Sequence, residues 1–155
     1  MPHVAGLILS SPFLRLKMPV PLWKRAAASV LSRLAPSFAM PSDIPMEWIS
    51  HDKAIVEETR ADPLEHQVAT PRWFTETLLA QTQVVQRAGS IRIPVVLLYA
   101  GDDKIAEAEE SERFFERLTV DKVARRYDGY YHEIFNEIGR EAVFEDLESW
   151  LEAHR

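Results

Sequence analysis

Two ionisable side chains follow predicted strands at positions from which they could act together. Asp103 comes just after the apolar run at residues 95–100, and His132 comes after the run at residues 122–127. The carboxyl ends of neighbouring parallel strands meet at one edge of a sheet, so residues just beyond them lie close together. A buried carboxylate fixes the tautomer of an imidazole, which can then take a proton from a hydroxyl nucleophile and return it to the leaving group. The pattern therefore predicts acid–base chemistry by Asp103 and His132.

The residues alone leave two alternatives open at this pair. Asp102 is a rival to Asp103 for the role of the acid. Gly101 allows a tight turn after the strand, and aspartates are favoured in such turns for structural reasons, without any catalytic role. His132 would then be a histidine that only satisfies its own hydrogen bonds.

The usual motif for the nucleophile is absent from the sequence. No G-x-S-x-G, the strand-to-helix turn that presents a serine in many hydrolases, occurs in the 155 residues. Ser10 and Ser11 follow a different predicted strand and lack the flanking glycines. We therefore expect the acid and the base without their nucleophile, and a chain that is inactive by itself, because loss of the nucleophile removes nearly all of the rate.

The other ionisable residues predict no further site. Four histidines stand near the termini or in the middle of the chain, without a partner at metal-ligand spacing, and we expect them to be solvated. They are His3, His51, His66 and His154. Four glutamates open a predicted helix, where negative charge complements the helix dipole. They are Glu107, Glu109, Glu110 and Glu112. We expect no metal and no organic cofactor.

The elements around Asp103 and His132 predict an α/β fold. Residues 4–9, 95–100 and 122–127 have the composition of buried strands, and helices are predicted over 107–118 and 140–152. Alternating strands and helices imply parallel strands joined by right-handed crossovers. A sheet of about three strands has an open edge, which native proteins normally cover. We therefore expect self-association or a partner that pairs with this edge.

Residues 13–90 are predicted to form a separate, mainly helical insertion. Seven prolines divide this segment into short helices. One helix is predicted to begin near Pro21 and a second to cover 52–61. A third begins with Thr70 as its N-cap and Pro71 as its first residue, and Gly89 suits its end.

Composition excludes several classes of protein. The formal net charge of −6, with acidic and basic residues interspersed, argues against a nucleic-acid partner. There is no cysteine, which excludes disulfides and thiolate metal sites. The N-terminal residues lack the features of a signal peptide, and no apolar run approaches the roughly 20 residues that span a bilayer. We expect a cytoplasmic protein.

Five segments of the sequence resemble the monoacylglycerol lipase and lysophospholipase group of α/β-hydrolases, which is serine aminopeptidase-like by domain class. They are residues 6–12, 60–64, 72–74, 97–105 and 130–137. The similarity extends over residues 4–151, and the last segment is the most specific. On this resemblance the family acid falls on Asp103, Asp102 takes a variable position, and the family histidine falls on His132.

The resemblance also implies a domain organisation and a function. Residues 1–12 and 91–155 would be the C-terminal half of the hydrolase core, and residues 13–90 a helical cap, or lid, over the active site. The parent activity would be hydrolysis of a lipid-like ester by a serine nucleophile, whose elbow lies in a half that precedes this sequence. The alternative is a non-catalytic remnant of a hydrolase that binds lipid or protein.

The implied cap carries apolar residues that would either line an acyl-chain pocket or pack the cap against the sheet. They are Trp23, Leu31, Phe38, Met40, Met46 and Trp48. The predicted first cap helix also carries Lys24, Arg25 and Arg33 beside its apolar residues. Such a helix could place the protein at the periphery of a membrane.

Overall fold

The computed structural model describes residues 4–42 and 44–154. Its strands are β1 (Leu7–Ser10), β2 (Met40–Pro41), β3 (Val68–Ala69), β4 (Val95–Ala100) and β5 (Lys122–Tyr127). Its α-helices are α1 (Leu22–Leu34), α2 (Lys53–Ala61), α3 (Pro71–Arg87), α4 (Ala108–Arg117) and α5 (Glu141–Ala153). The α/β fold class expected from the sequence is confirmed.

The centre of the fold is a three-stranded parallel sheet in the order β1-β4-β5. β4 lies in the middle, and all six of its residues are buried. On one face Val95 packs with Val85 of α3 and Phe114 of α4, and Leu97 and Tyr99 pack with Ala108 of α4. On the other face the even-numbered residues of β4 pack with α5 through Val143 and Trp150. Because β4 is covered on both faces, its sequence is continuously apolar instead of alternating.

β1 forms one edge of this sheet and is shifted from its predicted position. It begins at Leu7 instead of residue 4, because its partner strand begins at Val95, directly opposite Leu7. Ile8 shares a face with Val96 but remains 41% exposed. Within the part of the chain that the structure describes, no strand pairs with the outer edge of β1.

Residues 13–90 run from β1 to β4 and contain α1, α2, α3 and the small antiparallel pair of β2 and β3. The predicted start of α3 is confirmed, since Thr70 Oγ1 accepts a hydrogen bond from Trp73 N at 3.1 Å and Pro71 follows it. α3 ends at Arg87, and a 3₁₀ turn over Ala88–Ser90 leads towards β4. The helix predicted at 52–61 is α2, with Asp52 as its N-cap.

No helix among residues 4–42 and 44–154 combines the length and the apolar character that crossing a bilayer requires.

Candidate active site

Asp103 lies just beyond the end of β4 and is almost completely buried, with 2% of its surface exposed. Its Oδ1 accepts hydrogen bonds from the backbone N–H groups of Ile105 at 2.8 Å and Ala106 at 2.9 Å. Lys17 Nζ donates to the Asp103 carbonyl oxygen at 2.6 Å. The neighbouring Asp102 is exposed. Of the two aspartates, only Asp103 therefore points into the protein with a fixed side chain.

The structure brings His132 directly onto this carboxylate. His132 Nδ1 lies 2.7 Å from Asp103 Oδ2, and the imidazole is 23% exposed while the carboxylate is 3% exposed. An ionised carboxylate can only accept hydrogen bonds, so Nδ1 carries the hydrogen and Nε2 is left as an acceptor. An imidazole held in this tautomer is oriented to take a proton at Nε2.

The two loops meet because the pairing of β4 with β5 continues past the ends of both strands. Gly101 N donates to Tyr127 O at 2.8 Å, and Asp102 N donates to Tyr130 O at 3.1 Å. A Cβ at Gly101 would lie 2.6 Å from Asp128 Oδ1 and 2.9 Å from its Cα. Glycine is therefore needed at position 101 because the backbone there lies close to the end of β5. The φ of Gly101 is not positive, so a left-handed turn is not the reason for the glycine.

Glu137 is the residue near this pair that the sequence reasoning missed. Its carboxylate is 2% exposed and accepts hydrogen bonds from Tyr131 N at 2.9 Å and from His51 Nδ1 at 2.9 Å. Burial by itself would raise the pKa of Glu137, but the hydrogen bonds from Tyr131 and His51 hold this pKa below its ordinary value. Glu137 lies inside the family-like segment 130–137, yet no spacing signal assigns it a partner 86 positions away.

The expectation that the other histidines are solvated is wrong for His154, which is 16% exposed, whereas His51 is 44% exposed but has a partner. The His51 imidazole is paired with Glu137 and lies against the Tyr131 ring, with 3.6 Å between the ring centres. His154 is paired with Asp121, at 3.1 Å from Nε2 to Oδ2, and contacts the Trp150 carbonyl. The pairs His51–Glu137 and Asp121–His154 each join residues far apart in sequence, so residue spacing could not predict them. His66 is exposed, and His3 lies outside the described residues.

Three of the four glutamates at the start of α4, namely Glu107, Glu110 and Glu112, form ion pairs. Glu107 lies 2.9 Å from Arg15, and Glu110 lies 2.8 Å from Arg113. Within residues 4–42 and 44–154, no group of three or more histidine, aspartate or glutamate side chains is arranged to hold a metal ion.

The apolar candidates of the insertion do not form one set in the structure. Met46 and Trp48 pack around the buried residues Ile49, Val56 and Ile105. Three others are exposed by 40% to 68% of their surface. These are Trp23, Phe38 and Met40.

The central sheet, the flanking helices and the aspartate and histidine at successive strand exits define the class of protein as an α/β-hydrolase. Residues 1–139 match the family described as Serine aminopeptidase, S33. The chain belongs to this family.

Relatives and solved structures agree with this assignment. The chain is 29% identical over 155 residues to Phospholipase YtpA of Bacillus subtilis, covering 99% of this chain and 60% of that protein. It is 29% identical over 157 residues to a monoacylglycerol lipase of Mycolicibacterium smegmatis, covering 97% of this chain and 54% of that protein. It superposes on the Paleococcus ferrophilus monoacylglycerol lipase with a TM-score of 0.91 and 29% identity, covering 98% of this chain and 60% of that one. A Saccharomyces cerevisiae monoglyceride lipase shares the fold, with a TM-score of 0.82 and 23% identity over 97% of this chain and 56% of that one.

These comparisons confirm the expected resemblance to monoacylglycerol lipases and related α/β-hydrolases. The chain spans 60% or less of the length of each of these four relatives.

Proposed function

We propose that this chain supplies the acid and the base of a serine ester hydrolase of the monoacylglycerol lipase type. The observation that carries the proposal is the 2.7 Å contact between His132 Nδ1 and the buried Asp103 carboxylate. Asp103 holds the imidazole and balances its charge when it is protonated. His132 Nε2 takes the proton of a serine hydroxyl as the oxygen attacks the ester carbonyl, and then gives it to the departing alcohol. In the second half-reaction His132 activates water in the same way.

The attacking serine is proposed to come from outside these 155 residues, which contain no G-x-S-x-G. Ser11, which follows β1, is 5% exposed, and its hydroxyl accepts a hydrogen bond from Ala100 N at 3.3 Å. This buried, occupied hydroxyl gives no support to Ser11 as a substitute nucleophile. We therefore expect the chain to be inactive by itself.

A lipid-like ester is the proposed substrate class. The relatives named above as a phospholipase and a monoacylglycerol lipase support it. Residues 13–90 are proposed to be a cap over the active site, with residues 1–12 and 91–155 as the core beneath it. This division is supported by the position of the insertion between β1 and β4 and by its direct hydrogen bond to the His132 loop, from Glu133 N to Ile49 O at 2.9 Å.

The test is to co-express the chain with the elbow-bearing part of the Paleococcus ferrophilus enzyme and to measure hydrolysis of a monoacylglycerol. We expect hydrolysis that falls by about 10³-fold or more in Asp103→Asn and His132→Ala. Asp102→Asn is the matched control, because it makes the same chemical change on the exposed neighbour, and it should leave the rate unchanged. Hydrolysis that persists in His132→Ala would refute the proposal.

A second measurement tests the origin of the nucleophile. The purified chain is incubated with a fluorophosphonate probe, which reacts with activated serines. We expect no labelling of the chain alone and labelling of the elbow-bearing part in the co-expressed pair. Labelling of the chain by itself would show that one of its own serines is activated and would contradict this part of the proposal.

The outer edge of β1 is the proposed contact with the nucleophile-bearing segment. Val4 is 62% exposed and Ile8 is 41% exposed, so apolar surface accompanies the unpaired backbone groups of this edge. Size-exclusion chromatography with light scattering tests the proposal. We expect self-association of the chain alone that is replaced by a 1:1 complex on co-expression, whereas a monomer in both samples would contradict it.

The exposed side of α1 favours a second candidate function, binding to a lipid surface. Leu22 is 81% exposed, Trp23 68% and Leu34 78%, and the same helix carries the exposed residues Arg25 and Arg33. Apolar and basic residues together suit the surface of an anionic bilayer. Flotation with anionic and with neutral vesicles tests this peripheral association. We expect binding to anionic vesicles that weakens in Trp23→Ala and is unchanged in His132→Ala. If wild type and Trp23→Ala float with anionic vesicles to the same extent, lipid binding through α1 is excluded.

A further inference from the structure

We propose that Glu137 is the positioning residue of His132, and that its buried carboxylate holds the His132 loop against residues 49–51 of the insertion. The inference rests on the proposed function of His132 as the general base. It adds a second carboxylate to the site, one that acts through the backbone around His132 and not on the imidazole itself.

The Glu137 carboxylate is surrounded by hydrogen-bond donors from two separate segments. Its Oε1 accepts from His51 N at 2.9 Å, from Ile138 N at 2.9 Å and from Ser50 Oγ at 3.3 Å. Its Oε2 accepts from Tyr131 N at 2.9 Å and lies 2.9 Å from His51 Nδ1. A single side chain therefore joins the N–H of Tyr131, the residue before His132, to Ser50 and His51.

The peptide on the other side of His132 is fixed by the same segment. Glu133 N donates to Ile49 O at 2.9 Å. Ser50 Oγ also lies 2.8 Å from Asn136 O, which follows in the same loop. The backbone is thus held immediately before and immediately after His132, while Asp103 holds the imidazole at 2.7 Å. Fixing both the backbone and the ring defines where Nε2 points, which general-base catalysis requires.

An ionised carboxylate is the group that this arrangement demands. The groups facing it are backbone N–H, imidazole N–H and hydroxyl donors, and a carboxylate accepts at both oxygens. A glutamine would keep one accepting oxygen but would turn an NH₂ group towards the N–H of Tyr131 or His51. Two donors would then face each other in a buried place, and the contact would break. The low pKa of Glu137 agrees with a carboxylate that stays ionised although it is buried.

Tyr131 shows that this loop is packed as well as hydrogen-bonded. One side of its ring lies against the His51 imidazole, with 3.6 Å between ring centres, and Lys104 Nζ lies 4.0 Å from its centre. Lys104 also contacts the Tyr131 hydroxyl and follows Asp103 directly in sequence. The loops of the acid and the histidine are therefore coupled through Tyr131, and loosening one should disturb the other.

The experiment observes the hydrogen between His132 Nδ1 and Asp103, which appears at low field in a proton NMR spectrum and needs no nucleophile to be seen. The full 155-residue chain is compared with Glu137→Gln and with Glu133→Gln. Glu133→Gln is the matched control, because it makes the same chemical change in the same loop, while the Glu133 carboxylate accepts a hydrogen bond from Asn136 Nδ2 at 2.8 Å within that loop. Backbone amide spectra of β4 report whether each variant is folded.

We expect exchange of the His132 Nδ1 hydrogen with water to accelerate at least tenfold in Glu137→Gln, or its signal to vanish, while Glu133→Gln matches the wild type. Unchanged exchange in a folded Glu137→Gln variant would overturn the proposal, as would a wild type that lacks the signal. If Glu137→Gln does not fold, His51→Ala decides, because it removes one donor and keeps the backbone contacts. Faster exchange in His51→Ala supports the proposal, and unchanged exchange overturns it.

The co-expressed hydrolase separates this inference from the proposed function. If the pair containing wild-type chain and the pair containing Glu137→Gln hydrolyse the ester at the same rate, the proposed function stands and the positioning role is overturned. A pair without hydrolysis, in which Nδ1 exchange still depends on Glu137, would refute the function and leave the positioning of His132 intact.

Discussion

Replacing Asp103 by asparagine should change the tautomer of His132 while leaving the loop in place. Oδ1 of Asp103 accepts from Ile105 N and Ala106 N, and an asparagine oxygen can keep both of these hydrogen bonds. The second oxygen, 2.7 Å from His132 Nδ1, becomes an NH₂ group. His132 must then accept at Nδ1 and carry its hydrogen on Nε2, the nitrogen that would otherwise take the proton of the nucleophile.

The expected cost follows from the bonds that are kept and lost. The two hydrogen bonds from Ile105 N and Ala106 N are kept, and the charge-assisted hydrogen bond to His132 is replaced by a neutral one from the asparagine NH₂ group. Hydrogen bonds to charged groups contribute about 1.5–3 kcal/mol and neutral ones about 0.5–1.5 kcal/mol, so the expected loss is about 1 kcal/mol. For a chain of this length each kcal/mol lowers the melting temperature by about 2–4 °C, which gives an expected decrease of about 2–4 °C. The exposed Asp102 should change the stability by less than about 0.5 kcal/mol when it is replaced in the same way.

The assay combines thermal unfolding with ¹⁵N NMR of the imidazole nitrogens. The wild type should show the hydrogen on Nδ1 of His132, and Asp103→Asn should show it on Nε2 with a lower melting temperature. Asp102→Asn should reproduce the wild type in both measurements. If the two variants have the same tautomer and the same melting temperature, the assignment of the acid to Asp103 is refuted.

Three further perturbations test the packing around the site. Because the folded-state pKa of Glu137 lies below its ordinary value of 4.5, its ionised form adds stability above that pH, and this is lost as the pH falls through the lower folded-state pKa. The difference in unfolding free energy between wild type and Glu137→Gln should therefore be steady from about pH 7 to about pH 5 and shrink as the pH falls below about 4.5 in denaturant titrations, and a constant difference at low pH would contradict the role of the charge. Ile134 is 0% exposed, so Ile134→Ala should cost about 2–5 kcal/mol in the same titrations, and a cost below about 1 kcal/mol would show that it is not a core residue. Gly101→Ala should lower the melting temperature because its Cβ would lie 2.9 Å from the Asp128 backbone, and an unchanged value would mean that β5 can move away.

The contacts around His132 link residues 13–90 closely to the segments that follow β5. The loop of His132 is hydrogen-bonded to Ile49 and, through Glu137, to Ser50 and His51, all within the insertion. A movement of residues 49–51 would therefore be transmitted to the backbone on both sides of His132. Under the proposed function, residues 49–51 would help to orient the histidine.

The sequence by itself indicated the central sheet, the flanking helices and His132 as a candidate, while its residues left Asp102 as a rival of Asp103 that only the family resemblance set aside. The strand β4 is a continuous apolar run, and the start of α3 is marked by Thr70 and Pro71, so both signals are local. Residues that follow successive parallel strands are brought to one edge by the sheet itself. Signals of this kind depend on neighbouring residues, so they can be read from the sequence without knowing the rest of the fold.

Only the tertiary structure showed which side chains contact the His132 loop. Glu137 and His51 are 86 positions apart, and neither has a spacing that marks it as a partner of the other. The need for glycine at Gly101 also became visible only when the end of β5 was placed beside it. Such contacts depend on how separate segments pack in three dimensions, and a hydrogen bond between distant segments leaves no periodicity in the sequence from which it could be read.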